Sequence, residues 1–248
     1  MNIIRIKETA STNAFLRELS EKETLPESTV LVAENQTAGR GQAGNSWETA
    51  AGKNLTFSLL LRPTFLPVEQ HFLLSEAVAL GVKEALDEYV EKVSVKWSND
   101  IYVGERKIAG ILIENELTGR EITQSIIGIG LNVNQKTFVS DAPNPVSLYQ
   151  LLGRETDLEE LLSKILEHIS VWYLLLKHEK FDIISDFYYQ NLYRRDGFYD
   201  YEDKNGVFRA KIKSVSPEGY LILQTDVSTG STTVSETRSY EIKEVKFI

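Results

Sequence analysis

A polar stretch punctuated by glycine and set between two apolar runs constrains this chain more than anything else in it. Residues 29–33 and 55–61 read as buried strands. Between them, residues 34–47 hold almost nothing that could fill a core. Gly39, Gly41 and Gly44 alternate with polar residues around Arg40, so the backbone is free to take positive φ and to expose its N–H groups. Such a loop with one guanidinium suits a phosphate or carboxylate, through backbone donors and a planar, permanently charged fork. The run Gly39-Arg40-Gly41-Gln42-Ala43-Gly44 also fits the spacing of a dinucleotide fingerprint. That motif needs a helix opening at the loop and an acidic residue about 20 positions on. Here the loop leads into a strand, and the chain reads Leu61-Arg62-Pro63 at that distance, which argues against a doubly wound nucleotide fold.

The chain has 248 residues, 42% of them hydrophobic, enough for one good core and a small second domain. A net charge of −9 argues against non-specific attraction to nucleic acid. With no cysteine, a disulfide framework, a thiolate metal site and thiol catalysis are all excluded. His71, His168 and His178 are scattered, and His168 sits in a periodic helical stretch as a surface residue, so no metal cluster is expected. The first residues lack a signal-peptide pattern and no run reaches membrane-spanning length, so a cytoplasmic protein is expected.

Residues 2–6 alternate as a first strand, and Ser11, Thr12 and Asn13 form a capping cluster for a helix over about 13–22. A helix is expected over about 67–89, then strands at 93–97, 101–103, 106–114 and 124–134. From residue 157 an apolar stripe runs for about five helical turns, and an aromatic-rich helix follows over about 181–193. Short alternating strands then occupy 207–215, 220–225, 232–235 and 240–245, with turns at Asn205-Gly206, Pro217-Glu218-Gly219 and Gly230. The pattern predicts an α+β domain over residues 1–195 and a small all-β barrel over 196–248.

Polar islands interrupt the apolar strands at residues 11–13, at 36–47, and at Lys96-Trp97-Ser98-Asn99-Asp100 with Lys107 and Gly110. Lys96 alternates with Val95 and Trp97, and so points away from its apolar neighbours. Four motifs, Gly39-Arg40-Gly41-x-x-Gly44-x-x-Trp47, Lys96-Trp97-x-Asn99-Asp100-Ile101, Lys107-x-x-Gly110-Ile111-Leu112-x-Glu114 and Ile127-Gly128-Ile129-Gly130-Leu131-Asn132, resemble in order and spacing those of the biotin protein ligases. The resemblance spans essentially the whole chain.

It implies a catalytic domain of the class II aminoacyl-tRNA synthetase-like type, with a mixed, largely antiparallel sheet, followed by an SH3-like barrel. It further implies that biotin and ATP, with Mg²⁺, give biotinyl-5′-AMP and pyrophosphate, and that biotin then passes to a lysine of the biotin carboxyl carrier domain of a carboxylase. By the same resemblance Arg40 and Lys107 are the catalytic residues, and no side chain is assigned to metal. Ser11, Thr12, Asn13, Gln36, Arg40, Gly41, Gln42, Lys107 and Gly110 would bind biotin, with backbone donors at residues 40–42 closing over it. Gly39, Trp47, Lys96, Asn99, Asp100 and Asn132 would serve the nucleotide or adenylate. The chain departs from the family at Gln42 and Asn45, where basic residues are frequent, and at Ser98, where proline is frequent. Because the motifs begin at Ser11, the resemblance implies the type without an N-terminal DNA-binding domain, acting as monomer or homodimer without DNA or membrane partners. A lipoate-type ligase and a non-catalytic biotin sensor are the competing readings. A nucleic-acid role is disfavoured by the mixed charge of residues 204–248.

Overall fold

The structure, a computed structural model, describes residues 2–140, 143–229 and 232–248. Strands β1 (Asn2–Thr9), β2 (Thr29–Gln36), β3 (Leu55–Leu61), β4 (Val93–Lys96), β5 (Asp100–Val103), β6 (Arg106–Thr118) and β7 (Glu121–Leu131) form one sheet in the order β1-β2-β3-β7-β6-β5-β4. Only β1 and β2 pair in parallel, joined by helix α1 (Thr12–Lys22); every other pairing is antiparallel. A parallel pair needs a crossover and a helix supplies it, whereas β6 and β7 are long strands that a tight turn can connect. Helices α2 (Phe72–Asp87), α3 (Leu148–Leu152), α4 (Leu158–Lys177) and α5 (Phe181–Gln190) complete this part of the chain.

The pleat of β3 explains how core and cavity share one sheet. Leu55, Phe57, Leu59 and Leu61 join the large apolar cluster that contains most of α2 and α4. The alternate residues Thr56, Ser58 and Leu60 face the other side, where Leu60 packs with Leu16 of α1. The same alternation sends Ile127, Ile129 and Leu131 of β7 into the large core and turns Gly128 and Gly130 the other way. Helix α2 is buried almost all round, and Gly81 permits its contact with α4: a Cβ there would fall 2.7 Å from the Ile169 backbone. Asp157 caps α4 by accepting from the N–H groups of Glu159 and Glu160 at 2.8 and 3.0 Å.

The C-terminal part is a five-stranded antiparallel sheet, β11-β10-β9-β8-β12, built from β8 (Tyr199–Asp203), β9 (Gly206–Val215), β10 (Leu221–Thr229), β11 (Thr232–Tyr240) and β12 (Lys246–Phe247). Some elements differ from expectation. β8 and α3 carry too little alternation or length to read from pattern, and the expected strand at 240–245 is instead the end of β11 followed by a turn. β2 runs on to Gln36 because its last residues pair with β1. The segment expected to open the second helix is a short 3₁₀ turn, Val68–Gln70. The turn expected at Gly230 lies outside the described residues.

Candidate active site

On the sheet face opposite the large core lies a cavity of about 430 Å³. Its floor is the outward pleat of three strands: Thr56 on β3, Gly110 and Leu112 on β6, Gly128 and Gly130 on β7. Gly110 and Gly130 pair directly across the ladder. The missing side chains leave room for others. A Cβ at Gly128 would fall 2.4 Å from Asn13 Oδ1, and one at Gly130 would fall 2.4 Å from Trp47 Cε2.

One end of the cavity is lined by uncharged polar side chains, with the Glu114 carboxylate behind Asn13. Ser11 caps α1 through its Oγ, which accepts from the Ala14 N–H at 3.4 Å. The Thr12 N–H and hydroxyl both donate to Gln36 Oε1, at 2.9 and 3.1 Å, which fixes the amide and leaves Gln36 Nε2 as a donor. Both donor hydrogens of Asn13 are used: Nδ2 donates to Leu112 O (3.2 Å) and to Glu114 Oε2 (2.8 Å), while Oδ1 accepts from Ser58 Oγ (2.6 Å). Asn13 can therefore offer a ligand only its remaining acceptor lone pair.

The other end is cationic. Lys107 Nζ lies 2.7 Å from Asp100 Oδ1 and 5.5 Å from the centre of the Trp47 indole. Its backbone is clamped by the segment beyond β7, with the Lys107 N–H donating to Asn144 O and the Val146 N–H to Lys107 O, each at 2.9 Å. Lys96 donates to the Tyr102 hydroxyl at 3.1 Å, and burial draws its ammonium below the usual lysine range. Arg40 is half exposed, with its guanidinium 3.6 Å from Glu114. Asn99 donates through Nδ2 to Ile111 O, and the Ile111 N–H returns a bond to Asn99 O at 3.1 Å. Among the described residues no three His, Asp or Glu side chains are grouped to hold a metal ion.

Of the residues singled out in the sequence, Ser11, Thr12, Asn13 and Gln36 meet at the polar end. Arg40, Gly41, Gln42, Trp47, Lys96, Asn99, Asp100, Lys107 and Gly110 line the rest. Gly39 and Asn132 do not. Gly39 is required for space, because a Cβ would come within 2.6 Å of both Gln36 Nε2 and Trp47 O. Asn132 is buried behind the wall and donates to Val146 O at 3.1 Å, bracing the segment that clamps Lys107. Only Gly44 of the three loop glycines takes positive φ, at 88°. The Gly41 N–H bonds Asn45 O at 2.7 Å, so it closes the loop and does not point at a ligand. Two buried polar atoms here, Trp47 Nε1 and Asn132 Oδ1, have no partner among the described residues.

Sequence reasoning missed one wall altogether. Ile242, Val245, Lys246 and Phe247 of the C-terminal part border the cavity, and the Phe247 ring centre is 5.2 Å from Lys96 Nζ. No local pattern marks them, since the contact joins residues far apart in the chain. Thr56 was missed too, although its alternation with the leucines of β3 is a usable signal.

A model of the biotin/lipoate A/B protein ligase family matches residues 5–132. The chain belongs to that family. It is 30% identical over 223 residues to the bifunctional ligase/repressor BirA of Bacillus subtilis, covering 88% of this chain and 67% of that protein. It is 29% identical over 188 residues to the biotin–[acetyl-CoA-carboxylase] ligase of Mycobacterium tuberculosis, covering 73% and 68%. Among solved structures, the biotin protein ligase of Aquifex aeolicus in complex with biotin and ATP superposes with a TM-score of 0.76 at 29% identity, covering 96% of this chain and 99% of that one. The family match takes in both ends of the cavity and stops before the C-terminal wall.

Proposed function

We propose that this protein is an ATP-dependent biotin protein ligase. The observation that carries the reading is the division of one cavity into a neutral hydrogen-bonding end and a cationic end, on a floor that glycine keeps open. A ureido ring with a long carboxylate tail matches that division. The Ser11 hydroxyl and Gln36 Nε2 supply donors for its carbonyl, and Arg40 and Lys107 supply positive charge where the carboxylate meets a phosphate. The match to ligases of this name, and to a relative holding biotin and ATP, supports the same reading.

In the first step a carboxylate oxygen attacks the α-phosphorus of ATP, and the bond to the bridging oxygen breaks with its electron pair leaving on pyrophosphate. Negative charge builds on the phosphoryl oxygens, and fixed cations at that point lower the barrier most. Lys107, oriented by Asp100 and by its clamped backbone, is suited to that task; Arg40 approaches from the more exposed side. Trp47 Nε1 is a buried donor at the cavity that a bound adenylate or ordered water would satisfy. In the second step the amine of a carrier lysine attacks the acyl carbon, the bond to AMP breaks, and an amide forms. The biotin carboxyl carrier domain of a carboxylase is the proposed acceptor. The described residues build no cage of their own for Mg²⁺. The ion would enter on the triphosphate.

The test is biotin-dependent exchange of labelled pyrophosphate into ATP by the purified protein with Mg²⁺ and no carrier. Exchange with biotin and none with lipoate is expected. Exchange with lipoate alone would replace the reading with a lipoate-type ligase, and biotin binding without exchange would replace it with a sensor.

A further inference from the structure

Outside the cavity the most unusual group is Glu76. It lies in the almost wholly buried helix α2 and is 2% exposed. Among the described residues its carboxyl accepts one hydrogen bond, from Ser185 Oγ of α5 at 2.8 Å. One turn further along α5 is Tyr188, 1% exposed, whose ring packs edge-on against Phe72 of α2 with centroids 5.8 Å apart. Phe72 and Glu76 are four residues apart, and Ser185 and Tyr188 three, so the two helices meet along matched stripes. The Tyr188 hydroxyl leaves this seam and donates to the backbone carbonyl of Ser98 at 2.9 Å. Burial keeps that hydroxyl far above the ordinary tyrosine range, so it stays a donor at any working pH.

Ser98 lies between Lys96 and Asp100, where β4 turns into β5. The turn is tied to β6 by the bonds between Asn99 and Ile111, and to the glycine-rich loop by Ser98 Oγ, which lies 3.0 Å from Gln42 Oε1. The tie from the helix side falls on the Ser98 carbonyl. Asp100, two residues on, holds Lys107 at 2.7 Å. We infer that Tyr188 is a positioning residue for the ligase reaction: by fixing the Ser98 carbonyl it sets where Asp100 holds the Lys107 ammonium. This rests on the function proposed above. Tyr188 touches no substrate. Without its hydroxyl the buried carbonyl loses its donor, a loss comparable with the free energy of a tenfold change in rate, and the turn is free to move to recover a bond.

The experiment compares parental protein, Tyr188→Phe and Ser185→Ala in pyrophosphate exchange, with thermal unfolding of each. Tyr188→Phe keeps the ring against Phe72 and removes one oxygen. It is expected to lower kcat about tenfold while the KM for biotin, bound at the other end, stays within about twofold. Ser185→Ala removes the bond to Glu76, leaves Tyr188 in place, and is expected to keep the parental kcat. An unchanged kcat in Tyr188→Phe, or an equal fall in Ser185→Ala, would overturn the inference. A parental protein without exchange would overturn the functional reading and the inference together, whereas exchange by the parent matched by Tyr188→Phe overturns the inference alone.

Discussion

Two walls border the cavity and touch where the Ser98 hydroxyl donates to Gln42 Oε1 at 3.0 Å. In the glycine-rich wall, residues 39–47, the backbone bonds close on the segment itself: Trp47 N–H to Gly39 O at 2.9 Å, Gly41 N–H to Asn45 O at 2.7 Å. Its one guanidinium lies 3.6 Å from a carboxylate and is half exposed. The other wall, residues 96–100, is bonded outward on every side. Trp97 donates to Gly219 O at 3.0 Å, Tyr188 donates to Ser98 O, and Asn99 bonds β6. Trp97, Ser98 and Asn99 are all buried. The difference separates two tasks. A loop that holds itself together can move as a unit over a ligand, while a turn gripped from three sides presents charge at a fixed place.

The sharpest way to break the contrast is Lys107→Ala. It removes the cation that Asp100 holds on the rigid wall and that also sits over the Trp47 ring of the loop, and at least about a hundredfold loss of pyrophosphate exchange is expected. A parental rate would show that Arg40 suffices and that the rigid wall has no catalytic role.

Next in size is a pH effect under the rigid wall. Burial raises the Glu76 carboxyl to about 7 from an ordinary 4.5. A raised carboxyl pKa means that the folded state binds the proton more tightly than the unfolded chain. Its stabilising contribution is therefore complete below pH 4.5 and is lost as pH rises through about 7. The loss is about 3 kcal/mol at most. Glu76→Gln should remove that dependence, so that its unfolding free energy in urea falls less than the parental value between about pH 5 and 8. Parallel curves for the two proteins would contradict the prediction.

The smallest test pairs two glycines. Gly219 has φ of 94° and a Cβ there would fall 2.6 Å from Phe72, whereas Gly44, at 88°, has nothing within 4 Å of its missing Cβ. Alanine should cost about 2 kcal/mol or more at Gly219, strained and crowded, and about 1 kcal/mol at Gly44, strained only. Equal changes in Tm would mean that the two walls yield alike.

What could be read in the sequence follows the same division. The glycine-rich loop, Lys96, Asp100 and Lys107 stood out because polar residues broke apolar alternation within a few positions of each other. The strands of the large sheet were visible for the same reason. Glu76 was not, because a single carboxylate in the stripe of α2 looks like a helix-surface residue until the partner helix is in place. Phe247 and Val245 were hidden by distance along the chain. Asn132 was assigned to the adenylate by the family resemblance alone; its Nδ2 donates to Val146 O, a contact that no local pattern shows. Ser98, a departure from the family pattern, proved to be the residue whose carbonyl receives Tyr188.

The floor of the cavity has a further consequence. Gly128 and Gly130 sit two residues apart on one strand, about 7 Å along it, yet each admits a different visitor: Asn13 above the first, Trp47 above the second. They work as separate sockets. A methyl group in the first meets Asn13 at the polar end, and one in the second meets Trp47, beside Lys107. Ligand choice at either end is thus open to retuning from two positions separated by a single residue.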